Sequence, residues 1–269
     1  MQITSGNAVL TAESHGSGSP DVLMVHAGVT DQRSWRHVVD RLPASRCLTY
    51  DTRGYGRTTY EHEDGWSYVA DAVAVLDAYD APRAVVVGCS NGGRTALDLT
   101  LAHPERVSAL LLIAPSISGA PQPEFGPEFE QLESMYDAAE EAGDHAEVNR
   151  LEAWIWLDGP LVPEGRVQGP PRDLFLAMNG IALEAADPGE VGAVDAAWPQ
   201  LGDIDVPTLV LVGEHDFDYI HGRCRHLAET IPQARLVTLP GVAHLPHLEG
   251  DEKTLSEIAA FVGSVGAAI

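Results

Sequence analysis

Six near-continuous apolar runs constrain this chain most. They are DVLMVH (21–26), RCLTYD (46–51), RAVVVG (83–88), VSALLLIAP (107–115), VPTLVLVG (206–213) and ARLVTLP (234–240). A strand with one face in water alternates apolar and polar residues. These runs do not alternate, so they suit strands buried on both faces of a mostly parallel sheet. Helical patterns at about 31–42, 66–80, 91–103, 218–231 and 251–265 lie between them. A parallel pair needs a crossover, and a helix supplies it. The expectation is an α/β, doubly wound domain. Segments QIT (2–4) and AVLTAESHG (8–16) read as an antiparallel start.

The alternation stops between Pro121 and Gln200. This stretch carries helical patterns at about 126–142, 144–157 and 171–186, with prolines and tryptophans but little strand character. It reads as a helical cap inserted after the sixth strand. The core domain is then residues 1–120 and 201–269, and the cap is 121–200.

Composition narrows the partners. The 269 residues are 45% apolar with a net charge of −24. Such a surface repels phosphate backbones and anionic bilayers, so neither nucleic acid nor membrane is expected as a partner. No run approaches the length of a membrane span. The start, MQITSGNAVL, lacks the basic and apolar regions of a secretory signal. Cys47, Cys89 and Cys224 are scattered and odd in number, which suits small buried thiols in a reducing cytoplasm. The oligomeric state is not set by the sequence, and a homo-oligomer stays open.

The stretch VVVGCSNGG (85–93) carries the chemistry. Gly88-Cys89-Ser90-Asn91-Gly92 fits G-x-S-x-G between a buried strand and a helix. The turn must be sharp, and residues two before and two after the serine must be small because strand and helix nearly collide. Ser90 is therefore the candidate nucleophile. The N–H of Asn91 at the helix N-terminus can stabilise a developing oxyanion.

A serine hydroxyl is a weak nucleophile and needs a base held by a third group. Downstream, TLVLVGEHDFD ends a strand in acids, and LPGVAHLPHLE places a histidine just after the last strand. The order Ser, acid, His gives Asp216 as the acid and His244 as the base. Asp218 and Glu214 are rival acids. His215, His221, His226 and His247 form no zinc-binding pattern, so no metal is expected. The second oxyanion donor should come from HAGVTDQRSW (26–35), by the N–H of Gly28 or, as the rival, Val29. His26 reads as a brace for that loop. In YDTRGYGRT (50–58), Arg53 reads as a structural brace near the site.

Together these residues resemble the α/β-hydrolase superfamily over almost the whole chain. The pieces are His26-Ala27-Gly28, Asp51-Thr52-Arg53-Gly54-Tyr55-Gly56, Gly88-Cys89-Ser90-Asn91-Gly92-Gly93, Gly213-Glu214-His215-Asp216 and Gly241-Val242-Ala243-His244. HAGVTDQRSW, YDTRGYGRT and LEAWIWLDGP (151–160) look like the enol-lactonase-like and small-esterase branch, whose cap is helical. Ala27 departs from the usual glycine, and Cys89 and Asn91 depart from the frequent methionine or glutamine. The resemblance implies a serine hydrolase acting on a small-molecule carboxylic ester or lactone through an acyl-enzyme, without a cofactor. It carries the nucleophile onto Ser90, the acid onto Asp216 and the base onto His244.

Alternatives on the same residues are a carbon–carbon bond hydrolase, a perhydrolase and a non-catalytic ligand receptor. The expected cap carries Phe125, Phe129, Met135, Tyr136, Trp154, Trp156, Phe175, Met178 and Trp198. Trp154, Trp156 and Met178 are taken as its pocket-lining members. Residues 121–200 hold 17 Asp or Glu against Arg150, Arg166 and Arg172, so a site beneath them should favour neutral or cationic esters.

Overall fold

Alternate residues of the strand Ala84–Cys89 enter two different cores. Ala84 and Val86 pack in one, and Val85, Val87 and Cys89 in the other. That is the arrangement a non-alternating apolar run requires: both faces of the sheet are covered. Complete burial of a valine or leucine contributes about 1.5–3 kcal/mol relative to exposure, and ordering entropy offsets much of it.

The computed structural model describes residues 1–123 and 125–267; Glu124, Ala268 and Ile269 lie outside the described residues. The strands are β1 (Gln2–Ser5), β2 (Ala8–His15), β3 (Asp21–Val25), β4 (Arg46–Tyr50), β5 (Thr59–Tyr60), β6 (Ala84–Cys89), β7 (Val107–Ile113), β8 (Thr208–Gly213) and β9 (Ala234–Leu239). The sheet order is β1-β2-β4-β3-β6-β7-β8-β9, with β5 paired to β2. From β4 to β9 every pairing is parallel, whereas β2 pairs antiparallel with β1, β4 and β5. The expected antiparallel start and mostly parallel, doubly wound sheet are both present.

Helices α1 (Arg36–Arg41) and α9 (Glu252–Gly266), with the short α8 (Pro246–Glu249), cover one face. Helices α2 (Tyr68–Ala78), α3 (Asn91–Ala102) and α7 (Asp218–Thr230) cover the other. Ser67 caps α2, accepting from Val69 and Ala70 N–H, and Asp251 caps α9, accepting from Thr254 N–H. Between β7 and β8 lie α4 (Glu130–Glu141), α5 (His145–Glu152) and α6 (Pro170–Leu183). Leu132, Ala139, Val148 and Leu151 give this segment a small core of its own. Ala153, Leu157, Phe175 and Met178 join it to the α1/α9 core.

Three local features differ from the sequence expectation. Thr59–Tyr60 adds strand β5, so the helical segment follows the seventh strand rather than the sixth. Two residues are too few to show any periodicity. The pattern at 31–42 divides into a 3-10 turn, Gln32–Trp35, and the short α1. The pattern at 144–157 ends in a wider π turn, Ala153–Asp158, stopped by Gly159 at φ 108°. A Cβ at Gly159 would stand 2.7 Å from His215 O, so only glycine fits where this turn meets the β8 loop. Among the described residues, no helix is long and apolar enough to cross a membrane.

Candidate active site

The strand register brings the candidate residues to one edge. Val25 pairs with Gly88, Cys89 with Ile113, Ile113 with Leu211, and Gly213 with Leu239. These are the carboxyl ends of β3, β6, β7, β8 and β9. Gly28, Ser90, Asp216 and His244 follow within a few residues of those ends. In open α/β sheets this is the edge where ligands bind.

Ser90 has φ 52° and ψ −116°, a left-handed conformation that a non-glycine residue adopts only under strain. Backbone bonds on both sides enforce it. Ser90 N–H donates to Ile113 O at 3.0 Å, and its carbonyl accepts from Arg94 N and Ser116 N at 3.1 and 3.0 Å. The small neighbours are obligatory. A Cβ at Gly88 would stand 2.2 Å from Gly92 O, and one at Gly92 would stand 2.1 Å from Val25 O. One at Gly93 would meet Pro115 Cβ at 2.6 Å. The crowding inferred from the motif is thus a backbone-on-backbone contact.

Asp216 and His244 are joined directly. His244 Nδ1 lies 2.7 Å from Asp216 Oδ2, with both side chains buried. Asp216 Oδ1 accepts from Phe217 N–H at 2.9 Å. That bond and the imidazole fix the carboxylate plane. The rival acids are elsewhere: Glu214 accepts from Gly241 N–H, and Asp218 is exposed in the first turn of α7. His244 Nε2 is buried and, among the described residues, has no hydrogen-bond partner. With Nδ1–H donated to Asp216, that nitrogen presents a lone pair, the form a general base needs.

The loop after β3 is fixed through one carbonyl. Ala27 O accepts from His26 Nδ1 at 2.8 Å, Thr30 N at 3.1 Å and Thr30 Oγ1 at 3.3 Å. A trans peptide places its N–H opposite its carbonyl, so these bonds aim Gly28 N–H away from His26. His26 Nε2 accepts from Thr52 N–H at 3.0 Å, and burial pushes this imidazole's pKa down. It stays neutral and braces the loop. A Cβ on Gly28 would lie 3.7 Å from Asn91 Cβ, so the two expected oxyanion donors belong to adjoining backbone. Asn91 opens α3, where the first N–H groups lack intrahelical partners. Tyr55 Oη donates to Gly28 O at 2.8 Å and so fixes the next peptide, which carries the Val29 N–H.

A cleft of about 350 Å³ adjoins this edge. Phe125, Phe129, Leu132, Ile155, Trp156 and Phe217 supply its apolar wall. Glu133, Asp137 and Glu152 are its charged members, with Tyr136 beside them. Trp156 links cleft and site, its ring centroid 4.8 Å from that of His244. Burial raises the Glu152 carboxyl, although Asn179 and Tyr136 donate to it.

Of the three residues expected to line the pocket, the cleft brings in only Trp156. Met178 is fully buried in the α1/α9 core, where its Sδ accepts from Asp31 N–H at 3.5 Å. Trp154 turns its indole N–H to Val162 O at 2.8 Å and packs with the segment's own core. A helix shows successive residues to different faces, and tryptophans two apart in sequence therefore part company.

Residues 20–251 match the α/β-hydrolase fold family. The chain belongs to that family. This α/β-hydrolase is 29% identical over 291 residues to rhodomycin D methylesterase of a Streptomyces species (strain C5), covering 93% of this chain and 94% of that one. It is 29% identical over 266 residues to 2-hydroxymuconate semialdehyde hydrolase of a Pseudomonas species (strain CF600), covering 94% and 90%. It is also similar to the solved structure of an N-acyl homoserine lactone degrading enzyme, with a TM-score of 0.73, 26% identity, and coverage of 97% and 100%.

Several α/β-hydrolase residues here were not singled out by sequence. Tyr55 lies inside the YDTRGYGRT motif, but its bond to Gly28 spans 27 residues. Phe217 lines the cleft and also orders Asp216 through its backbone N–H. Arg53 is a brace as expected, yet its partners are Asp71, Glu63 and Ser5 O, around β1 and α2 rather than the site loops. His226 stacks on Trp198, and His247 stacks on Trp35. Burial pushes Cys47 up to about 11 and raises Cys89 and Cys224 as well, so all three thiols stay protonated.

Proposed function

We propose that this protein is a cofactor-independent serine hydrolase that cleaves a carboxylic ester or lactone through an acyl-enzyme. One observation carries the reading. A buried Asp216–His244 pair leaves Nε2 unpartnered at the same sheet edge as the strained Ser90 turn. The names borne by the methylesterase and lactone-degrading relatives point the same way.

In this reading residues 121–200 cap the site, and substrate lies between cap and sheet edge. Its carbonyl oxygen faces the N–H groups of Gly28 and Asn91. His244 takes the proton from Ser90 as Oγ attacks the carbonyl carbon. The tetrahedral oxyanion collapses, and the leaving alkoxide departs with the proton from His244. Water then gives a proton to His244 and attacks the acyl-enzyme; collapse frees Ser90 and the carboxylic acid. Asp216 holds the imidazole tautomer and stabilises the imidazolium. With a lactone the leaving alkoxide stays tethered, and ring closure competes with water.

The likeness to 2-hydroxymuconate semialdehyde hydrolase favours a second reading, hydrolysis of a carbon–carbon bond by the same residues. A fluorophosphonate probe with peptide mapping, joined to a panel of p-nitrophenyl esters, lactones and diketones, tests both. Label is expected on Ser90, with turnover of esters or lactones. Ser90→Ala should lose roughly 10⁴–10⁶ in rate, the scale for removing the nucleophile of an acting unit. Near-normal turnover in that variant would exclude Ser90 chemistry, and turnover of diketones alone would select the carbon–carbon reading.

A further inference from the structure

All five N–H groups of Arg166 are engaged. Nε donates to Asp158 O at 2.6 Å, and Nη2 donates to Leu157 O at 2.6 Å. Nη1 donates to Gly241 O at 2.9 Å. The remaining two form a bidentate pair with Glu249, at 2.7 and 2.8 Å. Glu249 Oε1 also accepts from Ala243 N–H at 3.2 Å. The acceptors fall into two sets. Leu157 and Asp158 end the turn that presents Trp156. Gly241, Ala243 and Glu249 bracket His244 along the chain. Because Trp156 lies against His244, the guanidinium closes a ring of contacts around the imidazole.

The other two arginines of this segment behave differently. Arg150 pairs with Glu147 and Glu164, and Arg172 with Asp158 and Glu164, all within residues 121–200. Among the described residues, Arg166 is the cation of this segment that pairs with an acid outside it. The pair is mostly buried, with side chains 18% and 10% exposed. A bidentate guanidinium–carboxylate bond fixes angle as well as distance.

We propose that Arg166, acting through Glu249, is a positioning residue that locks the Trp156 turn and the His244 loop into one unit and so sets the imidazole relative to Ser90. This rests on the reading that Ser90 and His244 act together. A displacement of about 1 Å in such a group can cost on the order of 10²-fold in rate.

The test compares the wild type, Arg166→Gln, the double variant Arg166→Gln/Glu249→Gln, and Arg150→Gln. The rate of fluorophosphonate labelling is followed by intact mass, well below each unfolding midpoint, with kcat and KM for a p-nitrophenyl ester. The single variant leaves a buried carboxylate unpaired, which is destabilising; the double variant removes that charge and retains the fold. Labelling and kcat should fall roughly 10–100-fold in both Arg166 variants, with KM changed by less than about 3-fold. Arg150→Gln should label within about 2-fold of wild type, since surface pairs contribute little. A wild-type labelling rate in the double variant, with label on Ser90, would overturn the positioning role and leave Ser90 as nucleophile. An equal loss in Arg150→Gln would also overturn it, reducing the effect to general cap integrity. Label on another residue in the wild type would overturn both readings.

Discussion

The Ser90 turn and the helical segment 121–200, the cap of the proposed reading, hold their side chains by opposite means. At the turn, backbone presses on backbone: Gly88 against Gly92, and Gly92 against the carbonyl of Val25. Nothing there can relax without moving the sheet. In the cap, side chains do the holding. The sequence of this segment has 17 acids against Arg150, Arg166 and Arg172, and each arginine is tied to at least one carboxylate. The first arrangement is uncharged and made of crowded backbone. The second is charged, partly exposed and assembled across the segment. The edge should therefore govern whether chemistry occurs, and the cap, apart from the Arg166 bond to Glu249 that positions His244, which molecules undergo it.

The largest effect should come from the edge. Asp216→Asn should lower kcat by roughly 10⁴, the scale for losing the carboxylate that orients the base. Asp218→Asn, at an exposed position, should stay within a few-fold. Steady-state rates on one ester decide it, and a reversed ranking would move the acid to Asp218 and break the edge half of the comparison.

Acid should act with opposite sign on a buried imidazole outside the cap and a buried carboxyl within it. His247 is buried against Trp35, both its ring nitrogens without a hydrogen-bond partner among the described residues, and burial pushes its pKa down to about 3. The unfolded chain protonates this imidazole near pH 6.5, whereas the folded chain does so only near 3. Across that window the unfolded state binds more protons, so stability falls as pH falls. Glu152 in the cap is the reverse case. Burial raises its folded pKa, so the folded state takes up the proton first and gains stability on acidification through that pKa. His247→Phe keeps an aromatic ring on Trp35 and removes the titration. Between pH 6 and 4 its unfolding free energy should fall less steeply than wild type, by about 1.4 kcal/mol per pH unit. Denaturant melts at several pH values measure this, and parallel curves for the two proteins would remove His247 from the acid limb.

The smallest effect should come from the acids of the cap cleft. Glu133, Asp137 and Glu152 are the charged residues on the cleft wall. For a matched pair of esters, kcat/KM should favour the neutral one over the carboxylate-bearing one by a few-fold at low salt. For the anion it should rise with salt, because screening beyond about 8 Å weakens repulsion. Equal values with no salt dependence would mean that the cap acids do not select substrate.

Sequence by itself determined the sheet, its burial on both faces and the Ser90 turn. Those signals are local. A run such as VVVG states its own burial, and G-x-S-x-G states its own crowding within five residues. The order of Asp216 and His244 after Ser90 was legible for the same reason, since each follows a strand end. Tertiary structure alone decided the rest. It brought Asp216, already favoured in sequence over Asp218 and Glu214, within 2.7 Å of His244. It sent Trp156 to the cleft wall but Met178 into the core. It joined Tyr55 to Gly28 and Arg166 to Glu249, across 27 and 83 residues. Side-chain partners so far apart leave no periodic trace, because their meeting depends on how whole elements pack and not on the spacing within any one of them.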